Sequence, residues 1–320
     1  MSDRAPMKFL AALALLVLAF GTQAQSFPTK RVTFVSGVTP GAASDTMARL
    51  LAEKLQQRWG QPVIVENRLG AGGMIAHRYV ADAPPDGYVV VMSASAWTIT
   101  PLLHPNSVKP EELRPAAMVA TIPTVLVAQP GKHQSIGEFV TAARASPGRI
   151  VCADAGIGSA THIALERFRL VAGIEVLNVH TKGPSEALTE VLSGRADCYF
   201  ALVFQAKKLV DGGKVVALAT SAPKRSSLMP EVPTTEELGF PNSHTNLWVG
   251  ALVAAKTPRP IVEKLHDDIT ALVESPEMIG EIRKLGGEPL PMTLRQFEDQ
   301  VAREFKENAE LIRKANIRLN

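Results

Sequence analysis

Several things are missing from this chain, and each absence removes a class of function. Only two cysteines occur among 320 residues, and no Cys-x-x-Cys or His-Glu-x-x-His spacing marks a metal centre. No single sign of charge dominates, because 34 Lys and Arg are interleaved with 31 Asp and Glu. That pattern excludes a nucleic-acid footprint. Beyond residue 20 no apolar run approaches 18 residues without a charge or a breaker, so the remainder is expected to be soluble. The segment Gly70-Ala71-Gly72-Gly73 lacks the second half of a dinucleotide fingerprint, and no Gly-Lys-Ser/Thr ending supplies a phosphate loop. No Gly-x-Ser-x-Gly elbow is present, and Ser159 and His162 stand only three apart. No cofactor and no metal are expected, and the chain does not read as an enzyme.

The N-terminus carries what the rest lacks. Twelve apolar residues run from Phe9 to Phe20, behind Arg4 and Lys8 and ahead of the small residues around Ala24. The run is too short to cross a bilayer of roughly 30 Å, and no stop-transfer pattern follows. It reads as an export signal cut after Ala24, with Met1 or Met7 as the start. Removing it leaves residues 25–320, enough for two domains. It also removes Asp3, Arg4 and Lys8, and so one net positive charge. In an oxidising compartment Cys152 and Cys198 could form a bridge. Their strand-like contexts suit small buried fillers equally well.

Strands and helices alternate along the remainder. Strands are predicted at 30–35, 63–65 and 88–92, the last apolar throughout as in a parallel sheet covered on both faces. A helix at 45–59 places Met47, Leu50, Leu51 and Leu55 on one face and stops at Gly60. A second unit has strands at 124–128, 149–152, 176–179 and 214–219, with helices at 136–145, 161–171 and 184–192. Pro184 suits the first helical position and Gly194 the end. After a Pro-rich stretch, a strand at 247–253 leads to helices at 260–274 and 293–315. Thr293 is the expected cap of the last. The class is α/β.

Three small-residue loops follow strands and feed helices: 36–45, 154–162 and 180–183. Ligands bind at such places because backbone N–H groups and helix N-termini converge outside strand ends. Thr39, Ser44, Ser159, Thr161 and Thr181 add hydroxyls, and lysine or arginine density is low. That inventory suits a carboxylate. Asp45, at a helix start, is favoured by the dipole and reads as a loop organiser or as an acceptor for a ligand amino group. Arg49 lies one turn later and could pair with it or clamp a carboxylate. His162 caps or orients the second loop, and His77 reads as packing or surface.

These loops resemble those of the extracytoplasmic receptors of tripartite tricarboxylate transporters, the Bug-type binding proteins. The marks are Pro40-Gly41-Ala42-Ala43-Ser44-Asp45 with Ala48-Arg49; 65–73, which reads Val-Glu-Asn-Arg-Leu-Gly-Ala-Gly-Gly; and Ala83-Pro84-Pro85-Asp86-Gly87-Tyr88. Further on come 155–159 with His162, the Leu192-to-Asp197 segment, and Val232-Pro233-Thr234-Thr235-Glu236. The resemblance implies a type II periplasmic binding protein, a two-domain Venus flytrap. Residues 25–123 and 221–320 would form one domain and 124–220 the other. It implies a solute-binding receptor for a small mono- or dicarboxylate, working in the periplasm as a monomer with membrane permease subunits and no nucleic acid.

Carried onto this chain, ligand binding falls to Val38, Thr39, Pro40, Gly41, Ala42, Ala43, Ser44 and Asp45. The second domain would contribute Gly156, Ile157, Gly158 and Ser159, supported by Thr161 and His162. Ser95 and Trp97 complete the wall, with Trp97 either a stacking surface for an aromatic solute or part of the core. The family's third loop commonly reads Pro-Tyr-Lys-Gly, whereas His180 and Thr181 stand here. His180 is therefore the leading specificity residue. Gly37-Val38 and Gly41-Ala42 likewise replace a Pro-aromatic pair and a double glycine. A periplasmic sensor of the same fold is one alternative, and a hydrolase or transferase, which would need an activated nucleophile, is another.

Overall fold

The computed structural model of the protein describes residues 27–245 and 247–319; the export segment and its cleavage point lie outside them. The chain begins with β1 (Val32–Ser36), α1 (Ala43–Trp59), β2 (Val63–Asn67), α2 (Met74–Ala81) and β3 (Val89–Ala94). A 3-10 turn at Ser95–Thr98 and a short helix α3 (Thr100–Leu103) lead to β4 (Leu113–Thr121). A second set follows: β5 (Thr124–Ala128), α4 (Ile136–Ala145), β6 (Val151–Asp154), α5 (Ala160–Ala172) and β7 (Leu177–His180). It continues through α6 (Pro184–Leu192), β8 (Cys198–Leu202), α7 (Val203–Asp211) and β9 (Val216–Thr220). The chain ends with β10 (Trp248–Ala254), α8 (Arg259–Val273), α9 (Pro276–Lys284), β11 (Glu288–Pro289) and α10 (Leu294–Ala315).

Two sheets result, one in the order β11-β4-β10-β3-β1-β2 and one in the order β7-β6-β8-β5-β9. The expected parallel arrangement holds for β1, β2 and β3 and for β6, β7 and β8. Both sheets are nonetheless mixed. Strand β10 pairs antiparallel with β3 and β4, and β5 pairs antiparallel with β8 and β9. Strand β10 enters the first sheet from far along the chain because all seven of its residues are buried and need cover on both faces.

Strands β4 and β5 have only two residues between them yet lie in different sheets, so the chain changes layer at Ile122 and Pro123. Each layer has its own apolar core. Phe34, Met47, Leu51, Leu55 and Leu265 fill the first, and Leu126, Phe139, Phe168 and Phe200 the second. Cys152 and Cys198 face each other in register on β6 and β8 and form a disulfide.

Helix α10 joins the layers. Thr293 caps it through a reciprocal capping box with Gln296. Phe297 then stands edge-on to Trp248 at 5.2 Å. A Cβ on Gly250 would lie 2.8 Å from the Phe297 ring, so glycine is what lets the helix come this close. Further along, Phe305 meets Trp97, and Leu311 joins Ile99 and Ile163 in a small cluster that takes α5 from the second layer. Burying Phe297 fully contributes on the order of 2 kcal/mol.

Candidate functional site

The C-terminal ends of the parallel strands set the site: Ser36, Asn67 and Ala94 in one lobe, Asp154 and His180 in the other. After β1 the first loop is exposed from Val38 to Gly41 and half-buried from Ala42 to Ser44. The first-turn N–H groups of Ala43, Ser44 and Asp45 make no backbone hydrogen bond among the described residues, as expected at a helix N-terminus. Asp45 itself is fully buried. One carboxylate oxygen accepts from Gly41 N–H at 3.0 Å and from Arg49 Nε at 3.0 Å. The other accepts from Asn67 Nδ2 at 2.6 Å and from Arg49 at 3.3 Å. Asn67 also donates to the Val38 carbonyl at 3.0 Å.

Burial alone would raise the Asp45 carboxyl. The bonds from Gly41, Arg49 and Asn67 outweigh that and hold it below the usual carboxylate range. Asp45 is thus spent on bracing the loop, with no oxygen left for a ligand amino group. Arg49 is spent likewise on Asp45 and on Asn67 Oδ1 at 2.7 Å. Asn67 was not singled out in sequence. Its cues are its place at the end of the strand beside β1 and within the 65–73 segment that carries the family resemblance.

The second loop is built the same way. Asp154 is fully buried, and its Oδ1 accepts from Gly156 N–H at 2.8 Å. Thr161 Oγ1 accepts from Ala155 N–H, and Ser159 Oγ accepts from His162 N–H as the cap of α5. His162 is buried, and its Nδ1 accepts from Gly158 N–H at 3.1 Å. Burial pushes its pKa down, only partly countered by Asp154 and Glu166, so the ring is neutral with its proton on Nε2. Gly158 sits at φ +77°, and a Cβ there would fall 2.7 Å from Leu103 Cδ1. The loop is therefore packed directly onto the 95–103 segment of the first lobe.

The third loop hangs from the same acid. His180 Nδ1 lies 2.8 Å from Asp154 Oδ2, and Thr181 donates through both N–H and Oγ1 to the Asp154 carbonyl. Asp154 thus ties together the second and third loops, and it too had no role assigned from sequence. Among the described residues the hydrogen bonds of the first loop stay within its own lobe. Ser95 and Trp97 are buried. Trp97 is enclosed between Phe305, edge-on at 5.2 Å, and His77, tilted at 6.3 Å. Its burial places it in the core, the second of the two readings left open for it. His77 is buried as well, bonded to Ser93 Oγ at 2.7 Å and pushed down to about 4 by burial.

Asp154, His162 and His180 bring ligand atoms within 4.8 Å of one another. The donor set fits a metal poorly. A ligating imidazole needs a proton on its other nitrogen and an acceptor for it, whereas His162 Nδ1 already faces the Gly158 N–H. The cluster is instead a hydrogen-bonding device.

The sequence profile described as "Tripartite tricarboxylate transporter family receptor" matches residues 47–317. A UPF0065 protein from a tcbD-tcbE intergenic region of Pseudomonas sp. (strain P51) is 31% identical over 286 residues, covering 87% of this chain and 85% of that protein. Among solved structures, R. palustris Rpa4515 with adipate superposes with a TM-score of 0.78 at 28% identity, covering 91% of this chain and 99% of that one. MatC from Rhodopseudomonas palustris with bound malate gives 0.73 at 27% identity, with 89% and 100% covered. The chain belongs to the tripartite tricarboxylate transporter family of receptors, has their two-domain periplasmic binding-protein fold, and is a solute-binding receptor.

Proposed function

We propose that this receptor works in the periplasm, takes a small organic carboxylate between its lobes and passes it to membrane permease subunits. Residues 25–123 and 221–320 would form one lobe and 124–220 the other. The observation that supports the reading best is the pair of loops at strand ends. Each is braced from beneath by a fully buried aspartate that accepts an N–H from a loop glycine. Each also opens a helix whose first-turn N–H groups favour an anion.

In this reading the backbone from Thr39 to Ser44 and from Ile157 to Thr161 holds the carboxylate. Hydroxyls of Thr39, Ser44 and Ser159 supply further donors, while Thr181 holds the third loop through its bond to the Asp154 carbonyl. Closure of the lobes on the anion is a population shift. The relatives solved with adipate and malate support the same ligand class, and nothing in the site requires the solute to be transformed.

The test is thermal and calorimetric. Residues 25–320, unfolded and refolded to strip bound solute, are screened against mono-, di- and tricarboxylates, aromatic acids, amino acids and sugars. A true ligand at 100 times its Kd stabilises by about 2.7 kcal/mol, read as a rise in Tm and confirmed by calorimetric binding. The solute should be recovered unchanged. Stabilisation by sugars or cations with none by any acid would overturn the reading.

A further inference from the structure

The chain passes between its two sheets twice, at Ile122 and Pro123 and again on the way into β10. The two passages run side by side, because Ile122 N–H donates to the Leu247 carbonyl at 2.6 Å. Lobes joined in this way turn about the paired passages, where few residues absorb the motion. Beside the second passage lies a cavity of about 40 Å³. Arg167 of α5 walls it from the second layer, Thr245 from the passage itself, and Glu304 and Asn308 of α10 from the first.

Arg167 stands one turn beyond Ile163, on the face of α5 that meets Ile99 and Leu311. Its guanidinium donates to Asn308 Oδ1 at 3.4 Å and to Glu307 at 3.5 Å. Among the described residues this is the only ion pair that joins a helix of the second layer to a helix of the first. Its acceptors are held from the first layer. Asn308 Nδ2 donates to Thr98 Oγ1 at 2.9 Å, and Thr98 Oγ1 donates to the Ser95 carbonyl at 2.8 Å. Glu304 accepts from Trp248 Nε1 at 2.8 Å and from Gln300 Nε2 at 2.9 Å. Two buried atoms of the wall, Arg167 Nε and Thr245 Oγ1, have no hydrogen-bond partner among the described residues. The cavity is roomy enough for a water, which can accept from Arg167 Nε–H and bond to the Thr245 hydroxyl.

We propose that Arg167 is a positioning residue for solute capture. Through Glu307, Asn308 and a water shared with Thr245 it clasps α5 to α10, and so sets how often the unliganded receptor stands with its lobes together. The arrangement it holds is one in which the lobes touch, since a Cβ on Gly158 of the second loop would fall 2.7 Å from Leu103 Cδ1. Arg167 lies eight residues along from Ser159, about 12 Å of helix, and acts without touching the solute. The inference rests on the receptor reading above and adds what governs closing. A solute that needs the lobes together binds with an apparent Kd raised by the rarity of that state, so a weaker clasp weakens every solute by one common factor.

Two measurements on the refolded chain 25–320 test it. The first is calorimetry with adipate, malate, benzoate and any other acid that stabilises the wild type. Arg167→Met should weaken every binding acid by the same factor, about three- to tenfold, and leave their ranking unchanged. The second needs no solute: nitroxide labels at Leu69→Cys and Leu192→Cys, both exposed and one in each lobe, report the spacing of the lobes. Cys152 and Cys198 are joined and take no label. Arg167→Met should lengthen the distance in the unliganded chain, and Thr245→Val should move it the same way by less. Exchanging the charges, Arg167→Glu with Glu307→Arg, should bring affinity back to within about threefold of wild type, where Arg167→Glu alone does not. Should Arg167→Met fail to fold, Arg167→Lys carries the test, since it keeps the charge and loses the fork.

An unchanged label distance in every folded Arg167 variant overturns the proposal. A loss confined to one acid overturns it too, because Arg167 would then be a direct contact of that solute. Longer distances with every affinity unchanged would also overturn it, by separating the clasp from capture. If no acid of any kind binds the wild type, the receptor reading itself fails, and the label distances alone then decide whether Arg167 holds the lobes.

Discussion

Asp45→Asn asks whether this carboxylate braces the first loop or touches solute. The substitution keeps the shape but turns one acceptor into an NH₂ group. That group must face either Gly41 N–H and Arg49 Nε or Asn67 Nδ2 and Arg49, all of them donors. Asn67 cannot turn over to help without losing its bonds to Arg49 and to the Val38 carbonyl. A hydrogen bond to a charged group contributes about 1.5–3 kcal/mol. The Arg49 share must be discounted because its side chain is 48% exposed and screened by water. About 2 kcal/mol is the expected loss for Asn, and about 3 kcal/mol for Ala, where Arg49 can still reach solvent. Urea unfolding should show this as a lower midpoint at unchanged slope, and exchange at the Gly41 amide should quicken. Because the native carboxyl titrates below its unfolded value, the difference from wild type holds above about pH 4 and fades as pH falls through the native pKa. The reasoning is refuted if Asp45→Asn stays within about 0.5 kcal/mol of wild type while affinity collapses. That pattern would make Asp45 a ligand contact.

Other perturbations probe different parts of the molecule. Gly158→Ala should cost about 1–2 kcal/mol from the positive φ alone, seen as a fall in Tm; Leu103→Ala should not rescue it, since the strain is in the backbone. Replacing both Cys152 and Cys198 by Ala removes a cross-link spanning 46 residues, for a loss of up to about 4 kcal/mol in the chain-entropy account; equal urea midpoints with and without reductant would contradict it. His77 has a native pKa of about 4, so its share of stability is complete above about pH 6.5 and is lost as pH falls toward 4. The loss comes to about 3 kcal/mol, and His77→Gln should flatten that part of a stability–pH curve. Glu304, raised by burial, pulls the opposite way, and a His77→Gln curve as steep as wild type would assign the slope elsewhere.

Local signals explain why so much of the alternation could be read in sequence. Helices 136–145 and 184–192 come out with their predicted ends because Ser135, Pro184 and Gly194 mark the boundaries within a turn. Strand β4 was missed because Pro115, Ala116, Ala117 and Ala120 give it little β character. It is a strand because β10 pairs with it, with two register shifts along the way. Helices α7 and α9 were missed too, although Ser275 and Pro276 do form a cap and first-turn pair at the start of α9. The candidate loops were legible as glycine-rich strand-to-helix junctions. Their braces were not: Asn67 meets Asp45 across 22 residues, and His180 meets Asp154 across 26. Trp97 shows the same limit, since only the fold brings Phe305 against it.

The two braces also bear on how a site for anions can be built over buried acids. Each aspartate consumes one glycine N–H and holds its loop open, but each also adds negative charge beneath the place an anion would occupy. Like charges repel, more strongly where burial lowers the effective dielectric, so each acid would weaken an anion's binding if nothing opposed it. In the first lobe Arg49 sits on Asp45 at 3.0 Å and removes most of that penalty. In the second lobe no arginine or lysine among the described residues pairs with Asp154, and the group placed against it is His180. The departure from the family's usual third loop therefore falls on the residue that hydrogen-bonds Asp154 beneath the second loop. A tyrosine or proline there would leave Asp154 without this partner, so Asp154 and His180 are best understood as one unit.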